Sequence, residues 1–515
     1  FEVSTMSKQR IYLNPSFNKG KVSPLIFGGF LEHLGRAVYG GVFDPTSIHA
    51  DKDGFRVDVL EALKCLKMTI MRWPGGNFVS DYHWEDGIGP TENRPTVRNL
   101  AWTSMESNQF GTDEFLKLCE KMNWEPMIAC NLGTGSLEEA RNWVEYCNFD
   151  GSSKTAEMRR RNGKSDPYKV KYWCLGNEVD GVWQIGHMSA DQYANHARQL
   201  AHMIVGRHGG TNVEPIFVGS SSPNLTTYAE WDRIVLEEAG KLWKNFEYHQ
   251  KYNQPAYISL HRYVGNDNED SEEYLATGVS IDKQIETMDS VCKYVQARLK
   301  LKSRFYLCFD EWNVWYKNKQ WSGKNQFAPN LLEEIYNLED ALVVAQFLNS
   351  FIRHADVVKI ANIAQVVNVI APILTRGDQL LKQSIFYVFK LFSEVKSGIA
   401  LNLACDGLEY ETKTYGLIPN IDSSAIFKES KKQLVIFLVN RSTESSIPIS
   451  ILTSGLPELK FEEGIIITHS DLKASNCFEN PNNVVPESYE DISLLNNEVR
   501  LDMPKASFLR IILTF

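Results

Sequence analysis

The 515-residue sequence has no excess of positive charge and no long apolar run. Its 54 Lys and Arg are outnumbered by 64 Asp and Glu, which gives a formal net charge of −10. Proteins that bind nucleic acids usually present a basic face to the phosphates, so we expect no nucleic-acid partner. A membrane-spanning helix needs about 18 or more consecutive apolar residues, and the sequence contains no such run. We therefore predict no membrane span.

Closely spaced pairs of cysteine are also missing. The nine cysteines are scattered, their number is odd, and no pair has the spacing of a zinc site. Several lie inside apolar runs such as "MIACNLG" and "FYLCFDE", which favours buried, reduced thiols and a cytoplasmic protein. The first residues, "FEVSTMSKQRIYLNP", lack the basic segment and apolar core of a signal peptide.

Tryptophan and tyrosine, in contrast, are plentiful. Twelve Trp and 21 Tyr provide many rings that are able to stack on sugar faces, although most such residues pack in protein cores. The length exceeds what one compact core usually holds, and therefore we expect two domains.

Eight short apolar runs alternate with amphipathic stretches between residues 21 and 385. Each run is apolar on both sides and ends in polar residues or glycine, as strands of a buried parallel sheet do. Eight strand–helix units predict an α/β fold with a (β/α)8 TIM barrel, and a doubly wound open sheet is the alternative. The runs are "PLIFGGFLEH", "MTIMRWPGGN", "EPMIACNLG", "VKYWCLGNE", "PIFVGSSSPN", "AYISLHRYVG", "RFYLCFDEWN" and "IANIAQVVNVI".

The stretches between these runs have helical periodicity. "SADQYANHARQLAHMIV" begins with Ser189 and has Gln192 three residues later, which is a capping box. Two further stretches, "EEYLATGVSIDK" and "NKQWSGKNQFAPNLLEE", are predicted to be long loops over the mouth of the barrel.

The pattern changes after about residue 386. Short β-branched runs such as "KKQLVIFLVNRS" and "ASFLRIILTF" alternate with turn residues, which predicts an all-β, jelly-roll-like sandwich. Residues 7–15 also read as a strand that adds to it. We therefore predict that residues 1–20 join the sandwich, that residues 21–385 form the catalytic barrel, and that residues 386–515 form the C-terminal domain.

Two glutamates stand at matching strand ends. Glu178 follows the fourth run in "YWCLGNEVDG", and Glu311 follows the seventh in "RFYLCFDEWNVWY". The carboxyl ends of all barrel strands face one mouth, where active sites lie. Because side chains alternate along a strand, we expect only one of Asp310 and Glu311 to point inward.

A pair of carboxyl groups across one mouth suits glycoside hydrolysis. One carboxylic acid protonates the leaving oxygen while the other, ionised, acts at the anomeric carbon; a gap of roughly 5 Å gives retention, and roughly 6.5–9.5 Å gives inversion. The alternative is that each glutamate forms a salt bridge at a strand end.

Further polar residues follow the other strands. Amides and carboxylates at these positions can hold sugar hydroxyls, and Arg72 can keep Glu311 ionised. His33, His261 and Glu32 are possible metal ligands, but their spacing matches no common site, so we predict no metal. The strand-end residues are Glu32, His33, Arg72, Asn77, His261, Arg262, Tyr263, Gln365 and Asn368.

Several of these stretches together resemble the family 51 glycoside hydrolases, the intracellular-type α-L-arabinofuranosidases. The matches cover almost the whole barrel, whereas the C-terminal region is similar only in type. They are "GGFLEHLGRAVYGGVFDP", "RWPGGNFVSDYHWEDGIGP", "NLAWTSMESNQFGTDEF", "YWCLGNEVDGVWQIGH", "SLHRYVGN", "FDEWNVWY" and "NIAQVVNVIAPILT".

The resemblance implies a retaining double displacement without a cofactor. It makes Glu178 the general acid/base and Glu311 the nucleophile. It also implies that Asn177 holds the sugar 2-hydroxyl. The other implied contacts are Glu32, Asn77 and Gln365 to further hydroxyls, Tyr263 and Arg72 to the nucleophile, Trp102 and Trp315 as pocket walls, and His261 as a supporting residue.

The implied partners are arabinofuranosyl oligosaccharides and polysaccharides, and the implied assembly is a homo-oligomer, often a hexamer. Three other interpretations stay open at this point. The barrel could belong to an endo-β-1,4-glucanase, to a β-xylosidase, or to a carbohydrate-binding protein without catalysis. An open groove would favour chain cleavage, and a closed pocket would favour removal of terminal arabinofuranose.

Overall fold

The computed structural model describes residues 8–205, 212–249 and 255–515. Within them the strands are β1 Gln9–Leu13, β2 Asn18–Lys21, β3 Gly28–Phe30, β4 Ile70–Trp73, β5 Val97–Asn99, β6 Ser104–Glu106, β7 Glu125–Ala129, β8 Tyr172–Cys174, β9 Glu214–Phe217, β10 Ala256–Val264, β11 Phe305–Val314, β12 Val358–Ala364, β13 Ile373–Arg376, β14 Gln379–Lys382, β15 Ile399–Leu401, β16 Ala404–Asp406, β17 Glu409–Thr412, β18 Gly416–Pro419, β19 Ile421–Lys428, β20 Gln433–Asn440, β21 Ile447–Thr453, β22 Lys460–Thr468, β23 Glu487–Ser488, β24 Ile492–Leu495, β25 Glu498–Met503 and β26 Ser507–Thr514.

The helices lie mainly between the barrel strands. They are α1 Val57–Cys65, α2 Thr112–Met122, α3 Leu137–Asn148, α4 Lys154–Arg161, α5 Ala190–Ile204, α6 Glu230–His249, α7 Ser271–Leu275, α8 Gly278–Leu299, α9 Leu338–Arg353 and α10 Ser384–Ser393. Among the described residues, no helix is both long enough and apolar enough to cross a membrane.

Eight strands close into a parallel barrel in the order β3, β4, β7, β8, β9, β10, β11, β12, with β12 pairing back to β3. Each of the eight predicted runs contains one of these strands, so the predicted barrel is confirmed and the open sheet is excluded. The barrel interior is filled by apolar side chains, as expected for a barrel of this size. They include Ile70, Met127, Tyr172, Ile216 and Ile360.

Local capping signals explain two helices around the barrel. Ser189 and Gln192 form the predicted capping box at the start of α5. The loop predicted for "EEYLATGVSIDK" is wrong, because this stretch forms α7 and the start of α8. The Asp270 side chain accepts a hydrogen bond from the Glu273 backbone N–H and so starts α7. The other predicted loop, residues 318–334, contains no helix or strand.

The C-terminal β-rich domain consists of two packed sheets. One has the order β16-β1-β21-β25-β24, and the other has the order β2-β15-β19-β20-β26-β22-β23. Both N-terminal strands therefore belong to this domain, β1 pairing in parallel with β21 and β2 antiparallel with β15. Ile11, Ile436 and Ile451 belong to the core between the sheets.

Strand β20 of the larger sheet is buried on both faces, and this joins the domain to the barrel. Along β20, Leu434, Ile436 and Leu438 lie in the core of the sandwich. Val435 and Phe437 alternate with them and belong to the core cluster that is shared with the barrel and its helices. A strand buried on both faces reads as a continuous apolar run, which explains "LVIFLV".

Helix α10 provides the central contact of this junction. The ring of Phe392 stacks on Phe437 with centroids 4.1 Å apart and on Phe508 with centroids 5.2 Å apart. Helix α10 runs through the predicted boundary at 385/386, and β2 runs through the one at 20/21. The two boundaries stay predictions.

We expect Phe392→Ala to lower the free energy of unfolding by about 3–5 kcal/mol, because it leaves a cavity among stacked buried rings. Urea denaturation of both proteins measures the change. Phe17→Ala is the control, since Phe17 is 53% exposed and its removal should cost little. A loss for Phe392→Ala no larger than that of the control would contradict the role of this contact.

Candidate active site

A cavity of about 600 Å³ lies at the carboxyl ends of the barrel strands. Eight predicted site residues line it, whereas Asn177, Arg72 and His261 are buried close to it. The eight are Glu32, Asn77, Trp102, Glu178, Tyr263, Glu311, Trp315 and Gln365. The sequence therefore located the residues that meet here, although they come from six different strand ends and loops.

A sharp turn after β8 brings Glu178 to the mouth of the barrel. Gly176 has φ +106° and Glu178 has φ +43°, so the chain turns through left-handed conformations within three residues. Such backbone is uncommon for a glutamate. Glu178 reaches the cavity through this turn.

An irregularity in β11 corrects the expectation that only one of Asp310 and Glu311 points inward. The register with β10 shifts between the Ser259–Cys308 pair and the His261–Glu311 pair, so β11 has one residue more than its partner. A bulge of this kind interrupts the alternation of side chains. As a result both carboxylates contact Arg72.

Arg72 is the centre of the buried polar network. It is fully buried, and its Nη1 donates to Glu311 Oε1 at 2.7 Å. Its Nη2 donates to Asn177 Oδ1 at 2.7 Å, and its Nε lies 3.3 Å from Asp310 Oδ2. A planar guanidinium presents several donors at fixed angles, so one side chain orients all three partners.

His261 lies between the carboxylates. Its Nδ1 is 2.8 Å from Glu178 Oε1 and 3.5 Å from Glu311 Oε2, and its Nε2 is 3.3 Å from Asp310 Oδ1. Burial alone would lower the pKa of His261, but the charges of Glu311 and Asp310 outweigh it and hold this pKa well above the ordinary value. The ring is therefore an imidazolium that donates from both nitrogens.

This charge state bears on metal binding. Glu178, His261 and Glu311 offer ligand atoms that lie within 4.8 Å of one another. An imidazolium has no lone pair for a metal, and the neighbouring Arg72 is also positive. The three residues therefore fit a proton-transfer site better than a cation site.

The two candidate catalytic carboxylates are close and differently held. One oxygen of Glu178 lies within 4.8 Å of one oxygen of Glu311. Glu311 Oε2 accepts a hydrogen bond of 2.9 Å from the Tyr263 hydroxyl. Burial raises the pKa of Glu311 above its usual value, and the charges of His261 and Arg72 oppose that rise.

Glu32 occupies another wall of the cavity. Its Oε1 accepts hydrogen bonds from the Phe78 backbone N–H at 2.9 Å and from Trp102 Nε1 at 3.0 Å. Gln365 accepts from the backbone N–H of Glu32 at 2.9 Å. Burial, reinforced by the charge of Glu311, raises the pKa of Glu32 to about 8, so this group is mostly protonated at neutral pH.

Three tryptophans form one side of the cavity. Trp102 and Trp321 are parallel with centroids 6.3 Å apart, and Trp321 meets Trp315 edge to face at 4.8 Å. The long loop that carries Trp321 is tied to the segment after β5 by backbone bonds Gly323 N–H to Trp102 O at 2.9 Å and Met105 N–H to Gln326 O at 3.0 Å. Two loops thus close this side of the mouth.

Sequence reasoning missed several lining residues. Trp183 and Trp321 each lie on a loop and stand about half exposed at the cavity. Ser221 and Ser222 follow β9, in the predicted run "PIFVGSSSPN", so their place at a strand end was a usable signal. Trp321 lies in the stretch predicted as a loop over the mouth, and Trp183 lies five residues after Glu178, but neither was singled out as a lining residue.

Three strand-end residues lie elsewhere. His33 Nδ1 is 2.9 Å from Glu106, and its Nε2 accepts from Trp73 Nε1 at 3.1 Å. Arg262 donates to Ser280. Asn368 donates to the Arg36 carbonyl. They support the loops around the mouth and do not line the cavity.

Two carboxylates that face each other in a pocket at the carboxyl ends of a (β/α)8 barrel define a glycoside hydrolase. The chain matches the family models of the α-L-arabinofuranosidase 1 domain over residues 62–254 and the α-L-arabinofuranosidase C-terminal domain over residues 310–507. The second match begins inside β11, so the family's C-terminal segment includes the last barrel strand.

Relatives of known name agree over the full length. An intracellular exo-α-(1→5)-L-arabinofuranosidase of Acetivibrio thermocellus is 40% identical over 94% of this chain and 96% of the relative. An exo-α-(1→6)-L-arabinofuranosidase of Bifidobacterium longum is 39% identical over 98% and 97%. The structure of a family 51 α-L-arabinofuranosidase from B. longum superposes with a TM-score of 0.90, at 33% identity, over 99% of this chain and 100% of that one. The chain belongs to glycoside hydrolase family 51, the α-L-arabinofuranosidases.

The raised pKa of Glu32 makes a prediction for stability. Its pKa is about 8 in the folded protein against 4.5 without burial, so the folded state binds this proton more tightly. Stability from this group is complete at low pH and is lost as the pH rises from about 4.5 to 8. Glu32→Gln removes the titration, so it should gain stability relative to the original protein by about 1.4 kcal/mol per pH unit in this window.

Urea unfolding of both proteins at pH 5, 6.5 and 8 measures this difference. If the two proteins differ in unfolding free energy by the same amount at all three pH values, the raised pKa of Glu32 is contradicted.

Proposed function

We propose that this protein is a retaining, exo-acting α-L-arabinofuranosidase that removes terminal α-L-arabinofuranosyl residues from arabinan, arabinoxylan or arabino-oligosaccharides. The observation that supports it most is the separation of less than 4.8 Å between oxygens of Glu178 and Glu311. Such close approach suits attack by one carboxylate on the anomeric carbon, since the two carboxyl groups of retaining enzymes lie about 5–5.5 Å apart.

Glu311 acts as the nucleophile. Arg72 and Tyr263 each hold one of its oxygens, so the carboxylate is oriented, and the charge of Arg72 favours its ionised form. Attack forms a glycosyl ester and expels the leaving group. The ester is neutral, and therefore Glu311 no longer competes for the positive charge of His261.

Glu178 acts as the acid in the first step and as the base in the second. It donates a proton to the leaving oxygen while Glu311 attacks. Once Glu311 is esterified, the imidazolium of His261, 2.8 Å from Glu178, favours the carboxylate form of Glu178. That carboxylate then takes a proton from the water that hydrolyses the ester. The same residue thus changes role because its neighbour changes charge.

Asn177 and three further residues bind the sugar. The Oδ1 of Asn177 accepts from Arg72, whereas its Nδ2 is buried and has no partner within the described residues. Nδ2 is therefore available to donate to the 2-hydroxyl, and such a bond accelerates the reaction if it strengthens as charge develops in the ring. Glu32, Asn77 and Gln365 hold the other hydroxyls.

The tryptophan side of the cavity favours exo action. The loops of Trp102 and Trp321 are hydrogen-bonded to each other and close one side, so the cavity is a pocket that ends at the sugar. An endo-β-1,4-glucanase needs a groove that is open at both ends, and a binding protein needs no pair of facing carboxylates. The named relatives are arabinofuranosidases, which also disfavours a β-xylosidase.

We also propose a cytoplasmic location and assembly into a homo-oligomer. The intracellular names of relatives support the first, and the cysteines of the described residues are all free thiols, as in a reducing compartment. The oligomer, a hexamer by resemblance to the family, stays a prediction.

Replacement of each carboxylate tests the two roles. Glu178→Ala should lose at least 10²-fold in kcat/KM on arabino-oligosaccharides, whose leaving group needs a proton, but much less on activated aryl arabinofuranosides. Glu311→Ala should abolish turnover of both substrates. Steady-state kinetics of the two variants on both substrates measure this, and an equal loss on both for Glu178→Ala would contradict the acid role.

The product identifies the mechanism and the substrate. Proton NMR of an aryl α-L-arabinofuranoside reaction should show the α-anomer first, because two displacements retain configuration. Aryl β-D-xyloside and a cellulose oligomer should react far more slowly. Linear arabino-oligosaccharides should give, at early times, equal amounts of arabinose and of the oligomer that is one unit shorter. Early appearance of the β-anomer, or of oligomers shortened by several units without matching arabinose, would contradict the proposal.

A further inference from the structure

Both oxygens of Glu178 are occupied by hydrogen-bond donors. Oε1 accepts from His261 Nδ1 at 2.8 Å, and Oε2 accepts from the indole Nε1 of Trp183 at 2.7 Å. An acid that protonates a leaving oxygen must direct an O–H at it, and an indole can only donate. The lone pair of Oε2 that accepts the indole N–H cannot also carry the acid proton, so a proton can be presented to the cavity from that lone pair only after the indole moves.

His261 is not the donor that moves. It is 2% exposed, and its other nitrogen lies 3.3 Å from Asp310, which is fixed by Arg72. Trp183 is 50% exposed and lies on the loop after Glu178. Its ring also lines the cavity, so an entering substrate meets it.

A glycine lets the indole fold back onto Glu178. A Cβ placed on Gly181 would lie 2.5 Å from Cε2 and from Cζ2 of the Trp183 ring. The turn itself is held by the Gly181 N–H, which donates to the Glu178 carbonyl at 2.8 Å. The geometry of this loop thus holds the Trp183 indole over the Glu178 carboxylate.

We propose that Trp183 is a positioning residue that caps Glu178 in the empty pocket and releases it when substrate enters. This inference rests on the acid/base role proposed for Glu178. In the free enzyme the indole N–H donates to Oε2, and a hydrogen bond to the charged form of a carboxyl group stabilises that form. When the leaving group displaces the indole, Oε2 takes up a proton from solvent, and this proton is then transferred to the glycosidic oxygen.

The proposal predicts a difference between free and bound enzyme. The alkaline limb of kcat/KM reports ionisation in the free enzyme, and the alkaline limb of kcat reports it in the complex. The indole caps Glu178 only in the free enzyme, so removal of the indole N–H should shift only the alkaline limb of kcat/KM. The other titratable or charged groups around Glu178 stay in place, and they are Arg72, Asp180, His261, Tyr263 and Glu311.

Trp183→Phe tests this, because it keeps an aromatic ring and removes the N–H. With methyl α-L-arabinofuranoside, whose poor leaving group makes the first step limiting, the alkaline limb of kcat/KM should move up by about one pH unit. The alkaline limb of kcat should not move. A purely structural role of Trp183 would lower both constants without shifting one limb alone.

Two more variants complete the experiment. Gly181→Ala displaces the indole and should reproduce the shift of Trp183→Phe. Val182→Ala is the matched control, since Val182 lies on the same loop with its side chain 81% exposed, and it should leave both limbs unchanged. If both alkaline limbs move together, or if neither moves, the proposal that Trp183 caps Glu178 is overturned.

Failure of the proposed catalytic role is recognised separately. It would appear as an equal loss of Glu178→Ala on good and poor leaving groups, whatever Trp183→Phe does. If Glu178→Ala loses more activity on the poor leaving group, as expected, but Trp183→Phe does not shift the alkaline limb of kcat/KM alone, then only the proposed role of Trp183 is overturned.

Discussion

The active site depends on a guanidinium that is completely buried. Removing a charge from water is costly unless partners compensate it. The charge of Arg72 is compensated by the carboxylates of Glu311 and Asp310 and by the side-chain amide oxygen of Asn177. Asp310 is itself the group that holds His261 from the far side. Two buried cations therefore face the carboxylates of Asp310, Glu311 and Glu178. Within the described residues Glu32 has no ion pair with either cation, and burial, reinforced by the charge of Glu311, raises its pKa to about 8.

The bulge in β11 is the backbone feature that makes this balance possible. In a regular strand, Asp310 and Glu311 would lie on opposite faces, and one of them would point into the helical shell. The extra residue brings both to the interior. Asp310 then contacts both Arg72 and His261. Glu311 lines the cavity and faces the sugar. The chemistry of the pocket therefore requires a departure from regular strand geometry.

The barrel and most of its site residues were predictable because they follow simple rules. Apolar runs reveal the strands, and the polar residues at or near their carboxyl ends mark the mouth, where Glu178, Glu311 and Glu32 lie; Glu311, however, is still inside β11. The bulge was not predicted, since nothing in "CFDEW" marks which residue is the extra one. Trp321 was missed because loop geometry depends on backbone bonds to a distant hairpin. The helix at residues 271–275 was missed because its start depends on one side chain, Asp270.

These differences separate two parts of the site. The buried polar network of Arg72, His261 and Glu311 sits on barrel strands, so few substitutions are compatible with it. Trp183 and Trp321, which also line the cavity, sit half exposed on loops, where substitutions are tolerated more easily. Relatives that are 40% and 39% identical to this chain are named for (1→5) and (1→6) linkages. Since overall identity does not separate them, linkage preference in this family is expected to follow from the loops at the mouth.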